Sequence, residues 1–110
     1  HFAGQFPTWL APVQVKVLSI SEKFEDYGKE VANKLNAEGF RVETDFRAEK
    51  IGYKIREARN ERVPYIIVVG EKDLEAGKVS LRTREGGDEG QKDLSDVIAR
   101  IKEEIVTKKC

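Results

Sequence analysis

A three-layer α/β domain, with a mixed and mostly parallel sheet of four to five strands flanked by three helices, is the fold this sequence predicts, on three observations. Tyr65-Ile66-Ile67-Val68-Val69 is a run of five aromatic or β-branched residues closed by Pro64 before it and Gly70 after it, which reads as a strand. Because the run is apolar without alternation, both of its faces need cover, as a central strand between helices has. Strand and helix periodicities also alternate along the chain, and strand-helix-strand units imply right-handed parallel crossovers. Finally, 110 residues hold one core and one domain.

Residues 1–12 combine Phe2, Phe6, Trp9 and Leu10 with Pro7 and Pro12, too apolar for a disordered tail and too proline-broken for a helix. They read as a packed connector to something upstream, and residues 13–110 as the domain. His1 has no structural task in this reading. From Val13 to Ile20, Val13, Val15, Val17 and Ile20 make a first strand, with Gln14 and Lys16 alternating. Ser21 offers an N-cap, after which Phe24, Tyr27, Gly28, Val31, Ala32 and Leu35 fall on one helical face. Gly39 closes that helix. Phe40, Val42 and Thr44 alternate with Arg41, Glu43 and Asp45 in a second strand.

Ile51, Ile55 and Ala58 form a narrow apolar stripe on an otherwise charged helix from Ile51 to Arg62. Over Arg47 to Arg62, six bases (Arg47, Lys50, Lys54, Arg56, Arg59, Arg62) face three acids (Glu49, Glu57, Glu61), a local positive excess. The central strand follows, then a polar link from Glu71 to Lys78. Val79 and Leu81 alternate with Ser80, Arg82 and Arg84 in a fourth strand, and Gly86-Gly87-Asp88-Glu89-Gly90 reads as a turn or loop. Asp93 N-caps a last helix whose buried stripe is Leu94, Val97, Ile98, Ile101 and Ile105.

Composition excludes several classes of function. Charged residues make up 36% of the chain, yet 20 Lys and Arg balance 20 Asp and Glu, so any attraction for nucleic acid must be local. With no apolar run of membrane-spanning length and no signal peptide, a cytoplasmic protein without membrane attachment is the simplest expectation. One His and one Cys, the latter at position 110, leave no internal disulfide, no Cys/His metal cluster and no Cys-His catalytic pair. A GxxxxGK[ST] loop is absent, and the GGDEG stretch does not itself open a helix as a dinucleotide fingerprint requires. Glu43, Asp45 and Glu49 are best read as a solvated strand edge, with hydrolysis by Asp45 and Glu49 a distant third reading. No catalytic or metal-ligating set is therefore assigned.

What remains is a ring of polar groups at the ends of elements around the central strand. Arg47 and Lys50 precede the second helix, Asp73 follows the central strand, and Arg82 and Arg84 lie on the next one. Loops at the carboxyl ends of parallel strands line a common crevice, so residues 45–50 and 70–75 are expected side by side. A carboxylate with an arginine offers an acceptor and a bidentate donor, which suits a guanine exposed in single-stranded RNA. An ordinary surface salt bridge from Asp73 to Arg82 is the competing reading.

Several strings resemble the C-terminal anticodon-binding domain of threonyl-tRNA synthetase, a class II aminoacyl-tRNA synthetase, over nearly the whole chain. They are Phe6-Pro7-Thr8-Trp9-Leu10-Ala11-Pro12-Val13-Gln14-Val15, Glu49-Lys50-Ile51-Gly52-Tyr53-Lys54-Ile55-Arg56-Glu57, Val63-Pro64-Tyr65 and Gly77-Lys78-Val79-Ser80-Leu81-Arg82-Thr83-Arg84. Leu-Ala-Pro before a valine-rich strand is shared with the histidyl, glycyl and prolyl enzymes, whereas the Phe-Pro-Thr-Trp form and the Arg-Thr-Arg string point to the threonyl member. The resemblance implies a module that receives the anticodon loop of threonine tRNA, whose second and third anticodon positions are guanine and uracil. By position, Asp73 and Arg82 match the guanine-reading acid and arginine, the acid often being glutamate in related sequences. Lys50 matches a lysine near the last anticodon base; Glu49 and Arg84 complete the expected anticodon-binding set, and Arg47 and Lys54 are expected on phosphates. Ala48 departs from the asparagine common in the family, which keeps open an accessory or interaction domain without tRNA selectivity. The resemblance also implies a threonine-tRNA ligase parent, a homodimer using ATP, magnesium and zinc in an upstream catalytic domain, with no cofactor in this chain.

Overall fold

The computed structural model describes residues 8–83 and 87–107, so the expectations placed on His1, Phe2, Phe6, Pro7, Arg84 and Cys110 lie outside the described residues. Five strands, β1 Val15–Ser19, β2 Val42–Asp45, β3 Tyr65–Val69, β4 Val79–Thr83 and β5 Gly87–Lys92, form one sheet in the order β2-β1-β3-β4-β5. β1 pairs parallel with β2 and with β3, while β4 runs antiparallel to β3 and β5 antiparallel to β4. The helices are α1 Glu25–Ala37, α2 Ile51–Asn60, α3 Glu71–Ala76 and α4 Leu94–Thr107, with 3-10 turns at Thr8–Leu10 and Glu22–Phe24.

Alternation along β3 divides the core in two. Tyr65, Ile67 and Val69 point toward α1 and α4, joining Val15, Val17, Val31, Leu35, Val97 and Ile101 in the larger cluster. Ile66 and Val68 point the other way and pack with Leu18, Ala58 and Val63 beneath α2, Ile51 and Ile55 closing over them. All five β3 residues are buried. The unbroken apolar run is thus explained by helices on both sides. Ahead of β1, the Arg41 guanidinium donates to the carbonyls of Ala11 (2.8 Å) and Trp9 (2.9 Å), and Gln14 Nε2 donates to that of Thr8 (3.1 Å), fastening this segment to the sheet.

Three expectations are corrected. The segment after β3 is not a plain link: α3 forms there, with Asp73 reaching back to the Gly70 N–H and Gly77 ending it at φ 66°. Gly87-Asp88-Glu89-Gly90, expected as part of a turn or loop, lies within β5, which pairs along β4 from Val79 to Thr83. Residues 45–50 and 70–75 both stand at the carboxyl edge of the parallel strands, but β1 lies between β2 and β3 and separates them.

Candidate functional site

On the α2 side of the sheet, the apolar cluster stops at β3, and β4 turns Ser80 and Arg82 to that face, each half-buried. A cleft of about 920 Å³ opens there, lined by Ile51 and Ile55 of α2, Asp73 of α3, Ser80 and Arg82 of β4, and Gln91 of β5. One side is aliphatic and the other carries paired donors and acceptors, the make-up of a site for a flat heteroaromatic ring.

Asp73 is held rather than free. Its carboxylate, 4% exposed, accepts from the Gly70 N–H (3.0 Å) on Oδ2 and from Ser80 Oγ (2.8 Å) and Gln91 Nε2 (3.2 Å) on Oδ1. Burial of a carboxylate is tolerated only with such donors. Arg82 Nη2 meets Asp88 Oδ2 at 3.4 Å, a long and partly exposed pair. Asp73 and Arg82 therefore do not form the surface salt bridge that composition left open; each has other partners, and both face one cleft. Asp73 is bonded to Ser80, which stands two residues from Arg82 on the same face of β4, a backbone rise of about 7 Å.

The remaining expected site residues scatter. Lys50 is the N-cap position of α2 and is exposed, as is Glu49 before it. Lys54 is fully buried and donates through Nζ to the Ser19 carbonyl at 2.9 Å, so it has no route to a phosphate. It lies between Ile51 and Ala58 on the inward stripe and is pinned under the end of β1. Arg47 is half-exposed, but its guanidinium grips Asp45 in bidentate fashion (2.9 and 2.7 Å) and Glu57 (2.6 Å), tying β2 to α2. The hydrogen bond from Arg47 holds the buried Asp45 carboxyl below its ordinary 3.8, and the two acids raise the Arg47 guanidinium further. That charge is already neutralised, so Arg47 is a structural clasp.

Sequence reasoning missed Ser80, Asp88 and Gln91. Ser80 shares the strand face of Arg82 by simple alternation and was within reach of the pattern. The other two sit in glycine-rich sequence where no periodicity shows. Among the described residues, no group of three His, Cys, Asp or Glu side chains could hold a metal ion, and no helix is long and apolar enough to cross a membrane.

Residues 14–104 match the family described as Anticodon binding domain. Over 107 residues the chain is 57% identical to a threonine-tRNA ligase of Clostridium perfringens, an alignment covering 97% of this chain and 17% of that one. Among solved structures it is similar to the RNA binding domain of threonyl-tRNA synthetase from Cryptosporidium parvum (TM-score 0.88, 38% identity, 94% of this chain and 26% of the other). Histidyl-tRNA synthetase from Nostoc shares the fold at a TM-score of 0.77 and 23% identity, over 86% of this chain and 23% of the other. The chain spans about a sixth of the length of the curated relatives it matches. Matched by that family over residues 14–104 and similar to threonine-tRNA ligases along nearly all of its length, this chain is a member of the anticodon-binding domain family, in the form found in threonine-tRNA ligases.

Proposed function

We propose that the cleft beside β4 receives an unpaired guanine from the anticodon loop of a threonine tRNA, on behalf of a longer threonine-tRNA ligase whose ATP-dependent chemistry lies outside this chain. The observation that carries this reading is that Asp73 and Arg82, from different elements, line one open cleft. Asp73 accepts from the Watson–Crick N–H groups, Arg82 donates to O6 and N7, and Ile51 and Ile55 supply apolar contact to the ring.

Phosphates are assigned elsewhere. Glu71, Asp73, Glu75 and Asp88 outnumber Lys72 and Arg82 among the charged lining residues, so the cleft itself repels a backbone. Arg59, exposed one turn beyond Ile55 on α2, takes the phosphate role in place of Arg47 and Lys54. Ala48, exposed two residues before Lys50, offers no side-chain base contact, so reading of the neighbouring uracil falls to Lys50.

Titration of the chain with an anticodon stem-loop, and with a copy whose central guanine is adenine, tests the proposal. Arg82→Ala is expected to cost about 1–3 kcal/mol on the guanine loop and much less on the adenine copy. Equal affinity of the unaltered chain for both loops would instead favour an accessory domain without tRNA selectivity.

A further inference from the structure

We infer that β5 carries a built-in stand-in for the base, Gln91 occupying Asp73 and Asp88 occupying Arg82 while the cleft is empty, so that these two side chains set how selectively guanine is admitted. The inference rests on the guanine-reading role proposed above for Asp73 and Arg82.

The placement of both side chains depends on a local irregularity. Residues 88 and 91 are three apart, and in a regular strand they would point to opposite faces. Between Leu81 and Arg82 the β4–β5 register shifts: Leu81 lies opposite Gly90 and Arg82 opposite Asp88, leaving Glu89 as the extra residue. Gly90, at φ 78°, supplies the left-handed backbone such a bulge uses. Glu89 is thereby turned to the other face, where it accepts from Thr83 and Arg100, and both Asp88 and Gln91 line the cleft.

What they offer mirrors a guanine. Gln91 gives Asp73 an N–H, as N1–H or the 2-amino group would, and Asp88 gives Arg82 an acceptor, as O6 or N7 would. An ionised carboxylate has about four lone-pair sites, and three on Asp73 are filled, two of them on Oδ1. Only one acceptor remains, on Oδ2. A base with a single N–H can use it directly; guanine, presenting two adjacent N–H groups, needs a place on Oδ1 as well. Gln91 is the partner that leaves, because its bond is the longest of the three and its side chain is exposed, whereas the Gly70 N–H is fixed backbone. An N–H replaces an N–H, so the buried carboxylate keeps its full set of donors throughout.

Three stem-loops carrying guanine, inosine or adenine at the same position, titrated against the 110-residue chain, separate the possibilities. Inosine lacks the 2-amino group. Gln91→Ala, which changes no charge, is expected to tighten guanine binding about three- to tenfold and to raise the guanine-to-inosine ratio, with the adenine loop unmoved. Asp88→Ala should favour guanine and inosine over adenine, whereas the control Glu103→Ala, an exposed acid on α4, should shift all three loops alike. In the unaltered chain, the Gln91 side-chain amide resonances should move on adding the guanine loop and stay put with adenine. An unaltered guanine affinity in Gln91→Ala, or equal gains on every loop, overturns the stand-in role alone. Failure of the unaltered chain to prefer guanine over adenine overturns the base reading and the inference with it.

Discussion

Lys54 Nζ donates to the Ser19 carbonyl at 2.9 Å from a side chain with no exposure to solvent. The last residue of β1 is thus tethered to the middle of α2, and the methylene stem is wholly buried. Lys54→Ala removes stem and tether together and is expected to cost about 2–4 kcal/mol in chemical denaturation. Lys54→Met keeps most of the volume and should cost about 1 kcal/mol. The slope of RNA affinity against salt should be the same for Lys54→Met as for the unaltered chain, since the slope counts phosphate contacts. A shallower slope in the Met variant would return Lys54 to the RNA-binding surface.

Acid stability should hinge on Asp45. Its carboxyl is buried and held below its ordinary 3.8 chiefly by the hydrogen bond from Arg47, with desolvation working against it. A depressed folded value means the unfolded chain binds the proton first, so the stabilisation is present above about pH 4 and is lost as pH falls through the folded value. Arg47→Ala leaves the carboxylate buried without its bidentate partner. We expect a loss of about 1–2 kcal/mol at neutral pH and an acid-unfolding midpoint displaced upward, read by circular dichroism along a pH series. An unchanged midpoint would show that the Asp45–Arg47 pair contributes nothing.

Most of the fold was legible because its signals are local. The run Tyr65 to Val69 demanded two covered faces, and the stripes of α1 and α4 supplied one of them. Lys54 was within the reach of the same reasoning: it lies three residues after Ile51 and four before Ala58, inside the inward stripe, and only its charge argued for the surface. α3 has no apolar stripe, and its helicity comes from the Asp73 cap and the Gly77 stop, features that composition reads as a polar link. β5 was the least visible. Glycines at 87 and 90 both carry positive φ, and its side chains are polar, so its existence follows from pairing with β4 rather than from its own sequence. Asp73 and Arg82 were found because strand ends and strand alternation placed them. Asp88 and Gln91 were not, because a bulge reverses the alternation that would have placed them.

Gly28 illustrates a constraint that helix propensity alone gets wrong. In the middle of an exposed helix, glycine to alanine stabilises by about 1 kcal/mol. Here a Cβ on Gly28 would stand 2.6 Å from Phe46 Cε1, a ring packed against the larger core cluster. Gly28→Ala is expected to destabilise by about 1–3 kcal/mol through overpacking. Combining it with Phe46→Leu should recover part of that loss, and strict additivity of the two changes in thermal melts would rule out the contact.

Tyr65 gives the alkaline counterpart of Asp45. Its hydroxyl donates to Glu104 Oε2, which also accepts from Thr8 Oγ1 at 3.3 Å, so the turn before β1, the central strand and α4 meet at one carboxylate. Burial, then the bond to Glu104, push the Tyr65 hydroxyl well above its ordinary 10.0. The phenol of the unfolded chain therefore ionises first, and the stabilisation, complete below about pH 10, is lost as pH rises toward the folded value. Tyr65→Phe should flatten this alkaline decline. At neutral pH it should cost about 1–2 kcal/mol, because Glu104 loses its nearer donor while keeping Thr8. Denaturant midpoints measured from neutral to strongly alkaline pH check both parts, and a Phe variant that declines as steeply as the unaltered chain would assign the alkaline loss to other groups.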